Sequence, residues 1–493
     1  MEQGSVLILF FFISLLVLIY FTTDFLIKDT VIVEKVALSV PFALGILSFV
    51  IHYAFLFKLE LRNSSYFILS FFVLILLGMV LKKSKSTLTI KKLTHSRNLS
   101  KVLLFLSPLL LSSFVFSIYY PTLMPDGIVY ENTVTILDYT KDLSYQTNPR
   151  VSIGHPPMVP LIFLIMMLLG VGYGKIVFPL YYLLFVIIYY FRISNAVKDK
   201  TICILSTLVL GTTPLIWWHS FLFGNNLIPG FYYSIGVLLW FEALKQQPEG
   251  RGYAILGGFF LGFSSWCRYE FIWYSLVPVL LTIFFNRGQK KSNMFISLCL
   301  PIILVNLWVP ITLLTLPDYY IFHKKEFSLL LLSLILLALT YFFDVSKLVK
   351  YIKEKINWFL LGIIISIFPV SSHYAGSITQ GITNIITSII RTIITFPHYP
   401  GVCLLLILIL GFKSILLTRV QKYMAFTIIT YLSIHLFIYS TGAKYRYISK
   451  YLELFIHNPG FMVNSSGVRE AIAFFPILLF LLVTCHDKLL EKR

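Results

Sequence analysis

The sequence predicts an all-α fold, a polytopic transmembrane helix bundle of about 13–15 spanning helices with short interfacial helices on one outward loop. Three observations predict it. Of the residues, 58% are hydrophobic and 12% charged, where a soluble domain carries about 25% charged residues. Apolar runs long enough to supply the roughly 20 residues that a hydrocarbon core demands recur from residue 5 to residue 485. The basic residues fall in short loops between those runs. The net charge of +19 therefore reads as membrane topology and contact with anionic headgroups. Nucleic acid, the usual partner of so basic a soluble chain, is not expected.

The ends of the runs follow from composition. The first, Gly4 to Phe21, has no basic residue before it; it lacks the charged start of a cleavable signal peptide and is read as a span. Lys82–Lys101 holds Lys82, Lys83, Lys85, Lys91, Lys92, Arg97 and Lys101 and no acid, so it marks the cytoplasmic side. Counting from it puts Arg192–Lys200, Lys245–Arg251, Asn286–Asn293, Asp344–Trp358, Lys413–Lys422 and His486–Arg493 inside. Tyr119–His155, Trp217–Asn226, Pro317–Glu326, Ser371–Asn384 and Thr441–Glu470 then fall outside. The count closes only if Pro156–Tyr173, which carries Pro156, Pro157 and Pro160 and ends in glycines, is an interfacial or half-inserted helix. The N-terminus is expected outside and the C-terminus inside.

No polar tract is long enough for a separate soluble domain. Residues 1–100 read as an N-terminal extension of about three spans and the basic loop, and residues 101–493 as the main transmembrane domain. No internal repeat is visible, which argues against a transporter built from inverted repeats. Cys203, Cys267, Cys299, Cys403 and Cys485 lie in or beside apolar runs without CxxC spacing; neither a disulfide framework nor a zinc site is indicated.

The outside loop 119–155 concentrates the chemistry. It holds four of the chain's 21 acids, Asp126, Glu131, Asp138 and Asp142. On a helix at 100° per residue the last three share one face, the pattern of a solvated surface. Asp126 stands apart in Pro125-Asp126-Gly127, which breaks the preceding span. A helix start favours an ionised carboxylate, and such a group above the bilayer suits a general base. Pro-Asp-Gly is also a common turn, in which Asp126 would only cap a helix.

Three other features qualify. His155 precedes Pro156-Pro157, which block a helix from continuing upstream; it is placed to touch a phosphate or sugar, or is simply solvated. Arg268 and Glu270 lie at the outer end of an apolar run, where charge is costly and functional by default unless it snorkels. Two residues apart on a helix, they would not face each other, so each needs another partner. Arg469 precedes the final span in a loop with Lys444, Arg446 and Lys450. Basic residues on an outer face suit an anionic lipid head such as a polyprenyl phosphate.

The order Pro125-Asp126-Gly127-Ile128-Val129-Tyr130, then Gly154-His155-Pro156-Pro157-Met158-Val159-Pro160, then Trp266-Cys267-Arg268-Tyr269-Glu270, and finally Arg469 before Phe475-Pro476 resembles the GT-C superfamily of polytopic membrane glycosyltransferases. The nearest branch is that of the protein O-mannosyltransferases and aminoarabinose transferases. The resemblance covers residues 101–300 well and the remainder by hydropathy. It implies a cell-membrane enzyme working on the extracytoplasmic face. The implied partners are a polyprenyl-phosphate sugar donor and a glycan, lipid or protein acceptor. It carries the catalytic base over to Asp126, with Arg268 and Arg469 the candidates for the donor phosphate. Tyr130, Glu131, His155 and Glu270 are the further candidates for substrate contact. Gly127 stands where many members have a second acid, and Trp217-Trp218-His219 lacks the acid of the oligosaccharide-transferring members. No cofactor is implied, and no metal-ligand spacing occurs in the outside loops. Two alternatives remain, a transporter or flippase of lipid-linked sugars and a non-catalytic membrane scaffold.

Overall fold

Chains with this much apolar surface satisfy their backbone inside the bilayer by coiling into helices, and the computed structural model follows that rule. It describes residues 3–27, 30–57, 93–120, 156–168, 174–222, 224, 226–246, 250–268, 270–285, 291–315 and 471–491, with a few positions between 421 and 428. Among these residues the regular elements are helices alone. Five stretches are long and apolar enough to cross a membrane: Ile32–Leu56, Asn98–Tyr119, Gly174–Ala196, Leu227–Lys245 and Met294–Thr312.

In chain order, α1 (Gln3–Leu26) and α2 (Ile32–Leu56) form a hairpin closed by the Lys35–Asp24 ion pair and by Ser39 Oγ beside Thr23 Oγ1 at 3.3 Å. Then come α3 (Leu93–Tyr119), α4 (Met158–Leu168), a 3₁₀ turn (Gly174–Ile176), α5 (Val177–Ala196), α6 (Lys200–Thr212) and α7 (Pro214–His219). Helices α8 (Leu227–Lys245) and α9 (Arg251–Cys267) form the centre. They are followed by α10 (Glu270–Phe285), α11 (Lys291–Asn306), α12 (Trp308–Thr315) and, far along the chain, α13 (Ala471–Glu491).

Helix α8 is buried on every side from Leu227 to Ala243, as expected of a helix apolar all round. Between helices in a membrane the driving force is close packing, which small residues allow. Gly258 and Gly262, one turn apart on α9, meet α11: a Cβ on Gly258 would overlap the Leu298 carbonyl, and one on Gly262 would sit 2.9 Å from Val305 Cβ. Several polar groups in this core are paired across helices, which offsets the cost of burying them. Tyr181 and Tyr232 share a hydroxyl hydrogen bond of 2.6 Å, and Tyr232 also reaches the Pro41 carbonyl at 2.7 Å, tying α5, α8 and α2. Trp240 Nε1 donates to Thr282 Oγ1 at 2.8 Å, tying α8 to α10.

The N-terminal pair α1–α2, which the sequence sets apart as part of an extension, packs into this same core. Glu34 of α2 pairs with Arg192 of α5, and Trp266 Nε1 of α9 donates to Ser48 Oγ of α2 at 3.2 Å.

The bundle has two ends, and the charge count sorts them consistently. At one, Glu34 meets Arg192, Lys245 Nζ donates to the Asn195 carbonyl at 3.3 Å, and Arg251 Nε donates to Ser297 Oγ at 3.1 Å. These are flanks of loops read as inside. At the other, Tyr120 stacks edge-on to Phe221 at 5.7 Å and Arg268 meets Asn226. Helix α4 has eleven residues, about 16 Å against the ~30 Å hydrocarbon thickness. Lys175, just beyond it, donates to the Tyr120 carbonyl at 3.3 Å. Met158 at its start contacts Cys267, the neighbour of Arg268. Residues on both sides of α4 in the chain therefore lie at the same end.

Several loop boundaries need correction. Arg192, read as the start of a loop, lies within α5 and is 2% exposed. Lys82–Lys101 is helical from Leu93 on, where α3 begins before its apolar stretch. Pro214–His219 forms a short helix that runs into what reads as the start of the Trp217–Asn226 loop.

Candidate functional site

Arg268 anchors the end opposite the Glu34–Arg192 pair. Helix α9 ends on Cys267 because Arg268 turns extended, at φ −149° and ψ 132°. Its N–H still donates to the Ser264 carbonyl at 3.1 Å, and its carbonyl accepts from Phe271 N–H at 3.1 Å. The run containing Arg268 and Glu270 is thus two helices joined at Arg268, not one, and Glu270 opens α10. The guanidinium does not reach outward: Arg268 is 8% exposed, and its NH1 donates to Asn226 Oδ1 at 3.2 Å. The partner that a buried cation requires is, in part, the carboxamide at the start of α8.

Beside it lies a buried polar patch built from α2, α9, α11 and α12. Ser265 Oγ is 3.0 Å from Asn306 Oδ1, and Asn306 Nδ2 donates to the Ile302 carbonyl at 2.8 Å. His52 Nε2 is 3.1 Å from Thr312 Oγ1. Its ring is held edge-on between Trp266, at 4.8 Å, and Trp308, at 6.2 Å, and these indoles contact each other at 4.7 Å. His52 Nδ1 is buried with no hydrogen-bond partner among the described residues.

Of the candidates read from the sequence, Asp126, Tyr130, Glu131, His155 and Arg469 lie outside the described residues, as does the side chain of Glu270. Their described chain neighbours do not scatter. Tyr120, six positions before Asp126, packs on Phe221 of the segment leading into α8. Met158, three positions after His155, has its Sδ 3.2 Å from Cys267 Sγ. Ile472, three positions after Arg469, lies against Gly230 in the first turn of α8, and the Ala473 carbonyl accepts from Ser234 Oγ at 2.7 Å. The described residues nearest to these motifs in the chain, Tyr120, Met158 and Ile472, thus lie with Arg268 at the end where α8 begins.

Sequence reasoning passes over Asn226 and His52. The signal for His52 was present, since an ionisable residue within an apolar span is a functional candidate by default. Asn226 has no such signal, because its role depends on a residue 42 positions later. Among the described residues no group of three His, Cys, Asp or Glu side chains gathers as metal ligands would.

No family model matches the chain, and neither a curated protein nor a solved structure matches it.

Proposed function

We propose that the chain is a membrane glycosyltransferase that moves a sugar from a polyprenyl-phosphate-linked donor to an acceptor hydroxyl at the outer face of the bilayer. The observation that supports this reading is the gathering of Tyr120, Met158, Arg268 and Ile472 at the bundle end where α8 begins, because these are the described neighbours or members of all four motifs of the family resemblance. A buried arginine at that end supplies what such a reaction needs most, a fixed positive charge for a departing phosphate.

In this mechanism ionised Asp126 takes the proton of the acceptor hydroxyl as its oxygen attacks the anomeric carbon. The bond from that carbon to the phosphate oxygen breaks, and its electron pair leaves with the polyprenyl phosphate. Arg268 and Arg469 hold the charge that develops. Preorganised donors of this kind contribute about 3–4 kcal/mol each to the transition state.

The transport alternative draws no comparable support from the described residues. It calls for ionisable groups near mid-depth, whereas Glu34, Arg192 and Glu242 lie within about one turn of their helix ends.

The deciding experiment is Asp126→Asn in a membrane preparation supplied with polyprenyl-phosphate sugar. Transfer is expected to fall by about 10²–10⁴-fold; transfer near the wild-type rate rejects Asp126 as the base. Arg469→Ala is expected to raise the apparent donor KM, and an unchanged KM removes it from the phosphate site.

A further inference from the structure

We infer that Asn226 and the N-terminus of α8 complete, with Arg268, a built site for a phosphate monoester or diester; its assignment to the sugar donor rests on the function proposed above. Asparagine before a helix usually turns its side-chain oxygen onto that helix's own first N–H groups. Asn226 does not: its side chain makes no capping hydrogen bond to α8, and its Oδ1 accepts from Arg268 NH1 instead. Two consequences follow from that one bond.

The first is that the amide is oriented by the arginine. With Oδ1 facing the guanidinium, Nδ2 is a donor on the same planar group, and it is buried with no hydrogen-bond partner among the described residues. Asn226 is 6% exposed, so an unsatisfied donor there is costly. The second consequence concerns the helix. The opening N–H groups of any helix lack intrahelical partners. Here the opening residues Leu227 and Ile228 are fully buried, and the side chain best placed to cap them is turned to Arg268. Pro229 in the same turn has no N–H to satisfy. Guanidinium, carboxamide Nδ2 and a nineteen-residue helix N-terminus all present positive charge or donors, and a helix start is a ready anion site. A phosphate has the oxygens to bridge them.

Asn226→Asp tests the site because it preserves everything except the property at issue. Aspartate can still accept from Arg268, but it replaces the Nδ2 donor with negative charge. Binding is read without turnover on the full-length reconstituted protein, with a short-chain isoprenyl monophosphate in one arm and inorganic phosphate in the other. In the variant the isoprenyl phosphate is expected to bind roughly ten- to hundredfold more weakly. A matching loss for inorganic phosphate assigns the site to phosphate generally; a loss confined to the isoprenyl compound assigns it to a lipid headgroup. Isoprenyl phosphate affinity within about twofold of wild type, below the change expected from one charged hydrogen bond, overturns the proposal. Should the aspartate variant fail to give monodisperse protein, Asn226→Ala is read against the same threshold. A chain that binds with this dependence yet transfers no sugar keeps the site and loses the transferase reading. One that transfers at the wild-type rate and donor affinity with aspartate at 226 does the reverse.

Discussion

Glu34 and Arg192, 158 positions apart in the chain, meet as an ion pair in which each side chain is 1% exposed. The pair locks α2 to α5 at the end of the bundle opposite Arg268. The Arg192 guanidinium also lies over the Tyr253 ring, 5.2 Å from its centroid, so α9 joins the same contact. Removing one partner of such a pair strands a buried charge, which costs more than the pair itself contributes. Glu34→Gln is expected to destabilise the protein by about 3–5 kcal/mol, read as a lowered unfolding temperature in detergent. The double variant Glu34→Leu, Arg192→Met is expected to recover most of that loss. A double variant as unstable as the single one would mean that the pair contributes strong net attraction.

Gly258 lets the backbones of α9 and α11 approach until only a hydrogen fits between them. The obstructing atom is a backbone carbonyl, which cannot move as a side-chain tip can. Gly258→Val is therefore expected to cost about 1–3 kcal/mol or more through overpacking and to reduce the yield of monodisperse protein. Gly224, whose added Cβ would meet only Asn226 Nδ2, at 3.4 Å, among the described residues, is the control, with Gly224→Ala expected to fold normally. Equal yields from the two would remove close packing as the reason for glycine at 258.

Arg268 is buried, and one of its bonds runs from NH1 to Asn226 Oδ1. A lysine keeps the charge but loses the planar fork. Arg268→Lys is expected to lower sugar transfer by roughly 10²-fold, on the scale of one lost transition-state donor, with protein yield close to wild type. Initial rates with a polyprenyl-phosphate sugar would check this, and a rate unchanged by the substitution would exclude Arg268 from the reaction.

The two ends of the bundle make a topological prediction. Tyr119 is 79% exposed at one end, and Lys245 is exposed at the other. Cys203, Cys267, Cys299 and Cys485 are buried, so a Cys403→Ser background should be quiet to a membrane-impermeant maleimide. Tyr119→Cys is expected to react in intact cells and Lys245→Cys only after permeabilisation. Labelling of both from the same side would refute the alternation read from loop charge.

The helical class is legible in the sequence because it depends on local composition. A run such as Leu227–Lys245 is apolar wherever it sits, and lysines cluster beside the headgroups whatever the helices pack against. The start of α4 was legible for a similar reason, since Pro156 and Pro157 bar a helix from continuing upstream. Long-range pairing is another matter. Arg192 reads as a surface residue because its partner Glu34 belongs to another helix, and the solvent that a lone arginine would need is replaced by that carboxylate. Asn226 reads only as the last residue of a loop because nothing near it in the chain announces that Arg268 will claim its oxygen. Composition by itself determined that this chain is a helical bundle with helices long and apolar enough to cross a membrane. Only the tertiary structure decided which buried charges meet, because burial makes each charge depend on one specific partner that the chain can supply from any distance.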